Sequence, residues 1–207
     1  MFRISTMYKK YIAETIGTFA LSFIVLLATA CIVGKAPIAV PVIAGLTVLL
    51  FVYTIGPVSG CHMNPAVTLG LLSVKKISGV DAFRYIVSQF AGAVVAVVFA
   101  KVFLVSASVV SASFLPSVFL AELIGAFFFN IGIAAVVFKK VDDDMSGVVI
   151  GGSLLLGLLF SSLAGAAGIL NPAVAFALNH VSLMYMLAPI VGAVMAYKVY
   201  TYLIDTK

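Results

Sequence analysis

The stretch GCHMNPAVTLG, Gly60 to Gly70, carries the tripeptide Asn-Pro-Ala, and GILNPAVAFALNH, Gly168 to His180, carries it again. Asn is among the best residues for capping the start of a helix. Pro at the first helical position has its φ preset and lacks an N–H that would be unpaired there in any case. Asn64-Pro65-Ala66 and Asn171-Pro172-Ala173 therefore each spell a helix start at a point where an apolar run breaks. The segments they open, Ala66 to Leu72 and Ala173 to Leu178, are too short to cross a bilayer and too apolar for an aqueous loop. Both read as half-helices dipping into protein, because irregular backbone at membrane depth must be buried or line a wet cavity.

The surrounding chain supports that setting. Of 207 residues only 9% are charged, with mean hydropathy +1.27, whereas a soluble domain carries about 25%. This composition excludes a soluble protein. No charge falls between Ala36 and Val74, nor between Met145 and Tyr197. A spanning helix needs about 20 apolar residues. Six spans are predicted: Tyr11 to Val33, Ile38 to Gly56, Ala82 to Val105, Pro116 to Phe138, Val148 to Leu163 and Leu183 to Leu203. The runs are continuous, without the period-2 alternation of a barrel. The first is too long for a signal-peptide core and lacks a convincing cleavage site, so it is expected to remain a span.

Lys and Arg bias orientation. Arg3, Lys9, Lys10, Lys75, Lys76, Arg84, Lys139, Lys140 and Lys207 fall on one side of a six-span arrangement, with Lys35 and Lys101 opposite. Both termini are expected to be cytoplasmic. That bias accounts for the net charge of +5, so no nucleic-acid partner is inferred. Cys31 and Cys61 form no disulfide framework.

AETIGTFALSFI, from Ala13, aligns with AELIGAFFFNIG, from Ala121. Glu122 stands 108 positions after Glu14, and Asn171 stands 107 after Asn64. Two landmarks agreeing within one residue mark an internal duplication, about 11–105 and about 116–204, within a single domain of residues 1–207. Each half has three spans, so the second enters the membrane from the opposite side, as an inverted-topology repeat. Symmetry then brings both half-helix starts to the midplane, with their positive dipole ends and the amides of Asn64 and Asn171 facing one point. Such a site donates hydrogen bonds to a passing oxygen and repels cations.

SGCHMNPAVTLG with a second NPA in an inverted six-span repeat resembles the major intrinsic protein family, the aquaporins and glycerol facilitators. The resemblance covers essentially the whole chain. It implies an all-α bundle of six transmembrane helices plus two re-entrant half-helices, one pore per subunit and a homotetramer in the cell membrane. It also implies passive transport of water and small neutral solutes, with no cofactor and no metal. Most members place Arg directly after the second NPA, where this chain has Val174. Counting along the family pattern puts the remaining filter positions at Ala44, Leu159 and Gly168. Such a filter is wide and apolar, since selectivity follows pore diameter, lining donors and electrostatic barriers. Broad passage of ammonia, hydrogen peroxide, urea or small polyols is expected beside water. A dedicated glycerol facilitator usually carries Asp where Ala175 follows Val174.

Glu14 and Glu122 are the carboxylates deep inside spans, and an intramembrane acid raises the question of a proton relay. The family resemblance gives each a quieter role, accepting hydrogen bonds from the loop before its NPA. His62 is expected in the cytoplasmic vestibule, with pH gating as an alternative. Cys61 is the repeat mate of Gly168 and would admit a mercurial if it lines the pore. His180 is expected to be solvated. Asn130 is expected to bond a neighbouring helix, and Gly17, Gly92, Gly125, Gly192 and Ala193 to mark close crossings. Lys139 to Gly147, KKVDDDMSG, reads as a solvated turn before the fifth span, a divalent cation site being the alternative. Three function classes remain: a passive channel, a proton-coupled carrier using Glu14 and Glu122, and a non-conducting structural membrane protein. An enzyme is not expected, because no nucleophile–base or metal-ligand cluster lies within the spans.

Overall fold

The computed structural model describes residues 6–32, 36, 38–104 and 115–205. Arg3, Lys35 and Lys207, and the ends of the predicted first and third spans at Val33 and Val105, lie outside them. The described chain is helical throughout: α1 (Thr6–Ile32), α2 (Ala39–Thr54), α3 (Gly56–Ser59), α4 (Pro65–Ser73), α5 (Gly79–Phe103), α6 (Pro116–Val137), α7 (Ser146–Leu163), α8 (Pro172–Ala177), α9 (Leu183–Met186) and α10 (Ala188–Ile204). Among the described residues, five segments are long and apolar enough to cross a membrane: Tyr8–Cys31, Gly79–Phe103, Pro116–Val137, Asp143–Leu163 and Leu183–Ile204. The predicted second span is shorter, 16 residues in α2, or about 24 Å at 1.5 Å per residue.

Proline explains where the observed helices depart from simple spans. Pro57 stands at the start of α3, a separate short helix that follows the end of α2 at Thr54. Pro189, near the start of α10, has no N–H to donate to the preceding turn. The last span is consequently interrupted at Leu187, between α9 and α10.

The packing has a pseudo-two-fold pattern: α1 lies on α5 as α6 lies on α10, and α2 crosses α7 between the halves. The half-helices are exchanged, with α4 against α10 of the second half and α8 against α5 of the first. Gly92 and Gly192 occupy mirrored crossings. A Cβ on Gly92 would strike the Thr15 carbonyl, and one on Gly192 the Leu123 carbonyl.

Basic groups gather at the end of the bundle where α1 begins. Lys10 Nζ pairs with Asp81 Oδ2 at 2.9 Å, and Tyr11 OH donates to Asp81 Oδ1 at 2.6 Å. Arg84 donates to Tyr11 OH at 3.2 Å, and Lys76 Nζ lies 4.5 Å from the Phe138 ring centroid. Lys101 occupies the last turn of α5, toward the other end.

Candidate pore

Each half-helix begins as its tripeptide dictates. Asn64 Oδ1 accepts from the Ala66 N–H at 2.8 Å, and Asn171 Oδ1 accepts from the Ala173 N–H at 3.0 Å. Both asparagines are extended, with φ −156° and −148°. Their amide nitrogens reach across the repeat. Asn64 Nδ2 donates to the Leu170 carbonyl and Asn171 Nδ2 to the Met63 carbonyl, each at 2.9 Å. An amide nitrogen has two hydrogens, so the second on each remains for the cavity that both residues line.

The loops before the tripeptides share an alternating backbone. Cys61 (φ 54°) and Met63 (φ 50°) are left-handed on either side of His62, as are Gly168 (φ 66°) and Leu170 (φ 55°) around Ile169. A non-glycine residue in this region is disfavoured by roughly 1–2 kcal/mol, so these turns need external support. Two buried carboxylates provide it. Glu14 Oε1 accepts from Ser59 Oγ at 2.7 Å and His62 N at 2.9 Å; Oε2 accepts from Met63 N at 2.7 Å and Gln89 Nε2 at 2.8 Å. Glu122 Oε1 accepts from Ser161 Oγ at 2.9 Å and Ile169 N at 3.0 Å, and Oε2 from Leu170 N at 2.8 Å. Both are fully buried, and a buried charge is tolerated when its lone pairs are filled in this way.

A cavity of about 940 Å³ follows the bundle from end to end. Its wall repeats the duplication: Leu21 and Val25 of α1 face it as Phe129 and Ile133 of α6 do, 108 positions later. At the end where α1 begins, Tyr53, His62, Lys76, Lys139 and Asp143 line it. The opposite half is walled by Val40, Pro41, Ala44, Leu158, Gly168, Val174 and Leu178, with Thr29, Ser162 and His180 as its polar side chains. Lys139 Nζ lies 2.6 Å from Asp143 Oδ1, and Tyr53 OH donates to the Asp144 carbonyl at 2.6 Å, so the KKVDDDMSG segment folds into a tied turn.

Of the four positions expected to form a filter, Ala44, Gly168 and Val174 line one half of the cavity, and Leu159 is not among the lining residues. Leu158 is among them, and is 4% exposed. Leu158 thus stands at the cavity one residue before the position reached by counting. Gly168 has a local reason to lack a side chain. Besides its left-handed φ, a Cβ there would meet the Leu158 carbonyl at 2.8 Å. Cys61 and His62 line the other half. Cys61 Sγ contacts Met63 Sδ at 3.2 Å, and His62 Nδ1 pairs with Thr68 Oγ1 at 3.1 Å.

Two expectations fail. Asn130 does not bond a neighbouring helix; its Nδ2 donates to the Ala126 carbonyl one turn back at 2.8 Å, because that acceptor is already within reach on the same helix. His180 is not simply solvated. It is half-buried, lines the cavity, and packs edge-on against Tyr185 with ring centroids 5.1 Å apart. His62 meets Tyr85 in the same way, at 4.9 Å. Each tyrosine touches the backbone of its half's loop: Tyr85 OH donates to the Ser59 carbonyl at 2.8 Å, and Tyr185 OH accepts from Ala167 N at 3.2 Å. The offset of 100 from Gly92 to Gly192 also takes Tyr85 to Tyr185, a signal legible in the sequence.

A helical membrane protein whose exchanged half-helices meet inside an elongated cavity belongs structurally with membrane channels. The chain is a member of the major intrinsic protein family, whose model, described as Major intrinsic protein, matches residues 1–200. The family is one of channels, not of enzymes. The chain is 34% identical over 207 aligned residues to the glycerol uptake facilitator protein-like 6 of Lactiplantibacillus plantarum, covering 91% of this chain and 94% of that one. Aquaporin AqpM of Methanothermobacter thermautotrophicus is 32% identical over 243 aligned residues, covering 94% and 97%. The aquaglyceroporin from Plasmodium falciparum has the same fold, with TM-score 0.72 at 23% identity over 97% of this chain and 98% of that one.

Proposed function

We propose that this chain is a passive channel for water and small neutral solutes, one pore per subunit, acting as a homotetramer in the cell membrane with both termini cytoplasmic. The observation that carries this reading is the elongated cavity with Asn64 and Asn171 lining it together. Each asparagine has one amide hydrogen beyond its cross-loop bond, and each half-helix directs its positive end inward. A neutral oxygen gains donors there, while a cation meets like charge. The two halves, about 11–105 and 116–204, contribute equally to a single pore domain. Glu14 and Glu122 serve as fixed supports of the loops, since every carboxylate oxygen already accepts hydrogen bonds.

Ala44, Leu158, Gly168 and Val174 form the selectivity filter. With no charged group and no bulky aromatic side chain, the ring passes solutes larger than water. A reading as chiefly a facilitator for ammonia, urea, hydrogen peroxide or glycerol is favoured by the same ring, whose three side chains beside Gly168 offer no hydrogen-bond donor. Stopped-flow light scattering on proteoliposomes decides between them. Water flux is read under an impermeant osmolyte, and solute flux under glycerol, urea and ammonium gradients, with Val174→Arg in parallel. Fast water and solute flux, with the solute component suppressed by Val174→Arg, supports the broad channel. Solute flux without appreciable water flux favours the facilitator. Fluxes equal to those of protein-free vesicles overturn the proposal and leave the tripeptides as scaffold.

A further inference from the structure

The half of the cavity that contains Ala44 and Val174 is almost wholly apolar. Among the described residues lining it, Thr29, Ser162 and His180 carry the only polar side chains, and His180 alone is titratable. His180 is also held in place. Its backbone N–H donates to the Ala175 carbonyl at 2.8 Å, tying it to the end of α8, and its ring sits against the edge of Tyr185. Tyr185 is in turn held by the Ala167 N–H. The imidazole Nδ1 is buried and has no hydrogen-bond partner, unlike that of His62, which pairs with Thr68. With that nitrogen closed off, Nε2 is the ring atom left to exchange a hydrogen bond with a molecule in the cavity that His180 lines.

The geometry points to His180 as a specificity-determining residue of the channel, where the neutral imidazole holds a hydroxyl- or amide-bearing solute on its way to the filter. This assignment rests on the channel reading above. It separates solutes by chemistry where the filter separates them only by size. A polyol or urea gains a hydrogen bond at His180 in place of water lost on entering an apolar passage. Water, small enough to keep its own partners, gains little.

Protonation removes the acceptor. Burial holds the imidazole below its ordinary pKa, so it is neutral at pH 7 and acquires a proton only under more acidic conditions. The titratable group packed on its ring is Tyr185. Glu122 lies beyond Tyr185 with its carboxylate engaged by the loop. α8, which precedes His180, carries no charged residue, and neither does the loop from Ala164 to Leu170. Nothing on these elements compensates an imidazolium, which would hold its own water across the passage.

The test measures glycerol, urea and water permeability of proteoliposomes at pH 7.5 and pH 5.0, equal on both sides, for the wild type, His180→Ala and His180→Gln. One hydrogen bond's net worth corresponds to about a five-fold change. Wild-type glycerol and urea permeability should fall by about that factor on acidification while water permeability changes less. His180→Ala should have low solute permeability at both pH values. His180→Gln, which keeps an acceptor but cannot titrate, should retain solute flux at both. A wild type insensitive to pH overturns the assignment. So does an acid response that persists in both variants, which would belong to His62. Wild-type water and solute flux at the level of protein-free vesicles at both pH values would instead defeat the channel reading itself.

Discussion

Gly45 and Gly151 face each other across the α2–α7 crossing, each backbone carbonyl lying where the other's side chain would begin. A Cβ on Gly151 would stand 2.6 Å from the Gly45 carbonyl oxygen, and one on Gly45 would stand 2.9 Å from that of Gly151. The residues belong to the equivalent spans of the two halves, so this contact is where the halves meet at their pseudo-two-fold relation.

Gly151→Val should force α2 and α7 apart. Overpacking of this kind costs about 1–3 kcal/mol, and a lower midpoint in a thermal denaturation series in detergent would register it. Gly152→Ala is the control, because a Cβ at Gly152 has nothing within 4 Å. It should be neutral or slightly stabilising.

Glu14→Gln and Glu122→Gln should each destabilise their loop. A Gln side chain turns an accepting oxygen into an NH2 group facing backbone N–H donors, leaving buried groups unpaired at about 1–3 kcal/mol each. Glu14 takes four donors and Glu122 three residues' worth, so the Glu14 variant should lose more thermal stability and more water flux. Equal, full activity in both variants would refute the supporting role.

Leu158→Phe should reduce glycerol flux severalfold, while Leu159→Phe should leave it near the wild-type value. Leu158 faces the cavity and its neighbour does not. Paired solute-flux measurements on the two variants are decisive, since the reverse ranking would move the filter to Leu159.

Cys61 lines the cavity, whereas Cys31 is exposed near the end of α1. A mercurial should therefore slow water flux in the wild type and in Cys31→Ser, and fail to do so in Cys61→Ser. Inhibition that persists in Cys61→Ser would place the mercurial's action elsewhere, and a wild type that is not inhibited would show the Cys61 thiol to be out of reach.

How much the sequence discloses varies with the chemistry of each position. Asn-Pro-Ala is legible because cap, ring and small side chain act locally and need no partner to be understood. Glu14 and Glu122 are legible because a carboxylate in an apolar run demands an explanation, and the repeat supplies it. The phase of α7 is not. SLLLGLLFSSL offers no polar face to mark its direction, so Leu158 and Leu159 look alike until packing distinguishes them. His180 misleads because one polar residue in a loop resembles a solvated one. Its setting depends on Tyr185, whose partnership with the loop and with the His180 ring is a tertiary contact. The break at Leu187 is written in Pro189, but a single proline near a span end marks a kink or a start equally well.

The reciprocal bonds from Asn64 to Leu170 and from Asn171 to Met63 bear on biogenesis. During synthesis the first half reaches the bilayer without its counterpart. Its re-entrant segment then lacks the carbonyl that its asparagine requires, and α4 lacks the α10 surface on which it rests. The loop keeps its Glu14 bonds from the first half, but the Met63 carbonyl gains its Asn171 donor only when the second half inserts. Co-expressed as separate polypeptides, the halves should become protease-resistant together and stay labile apart.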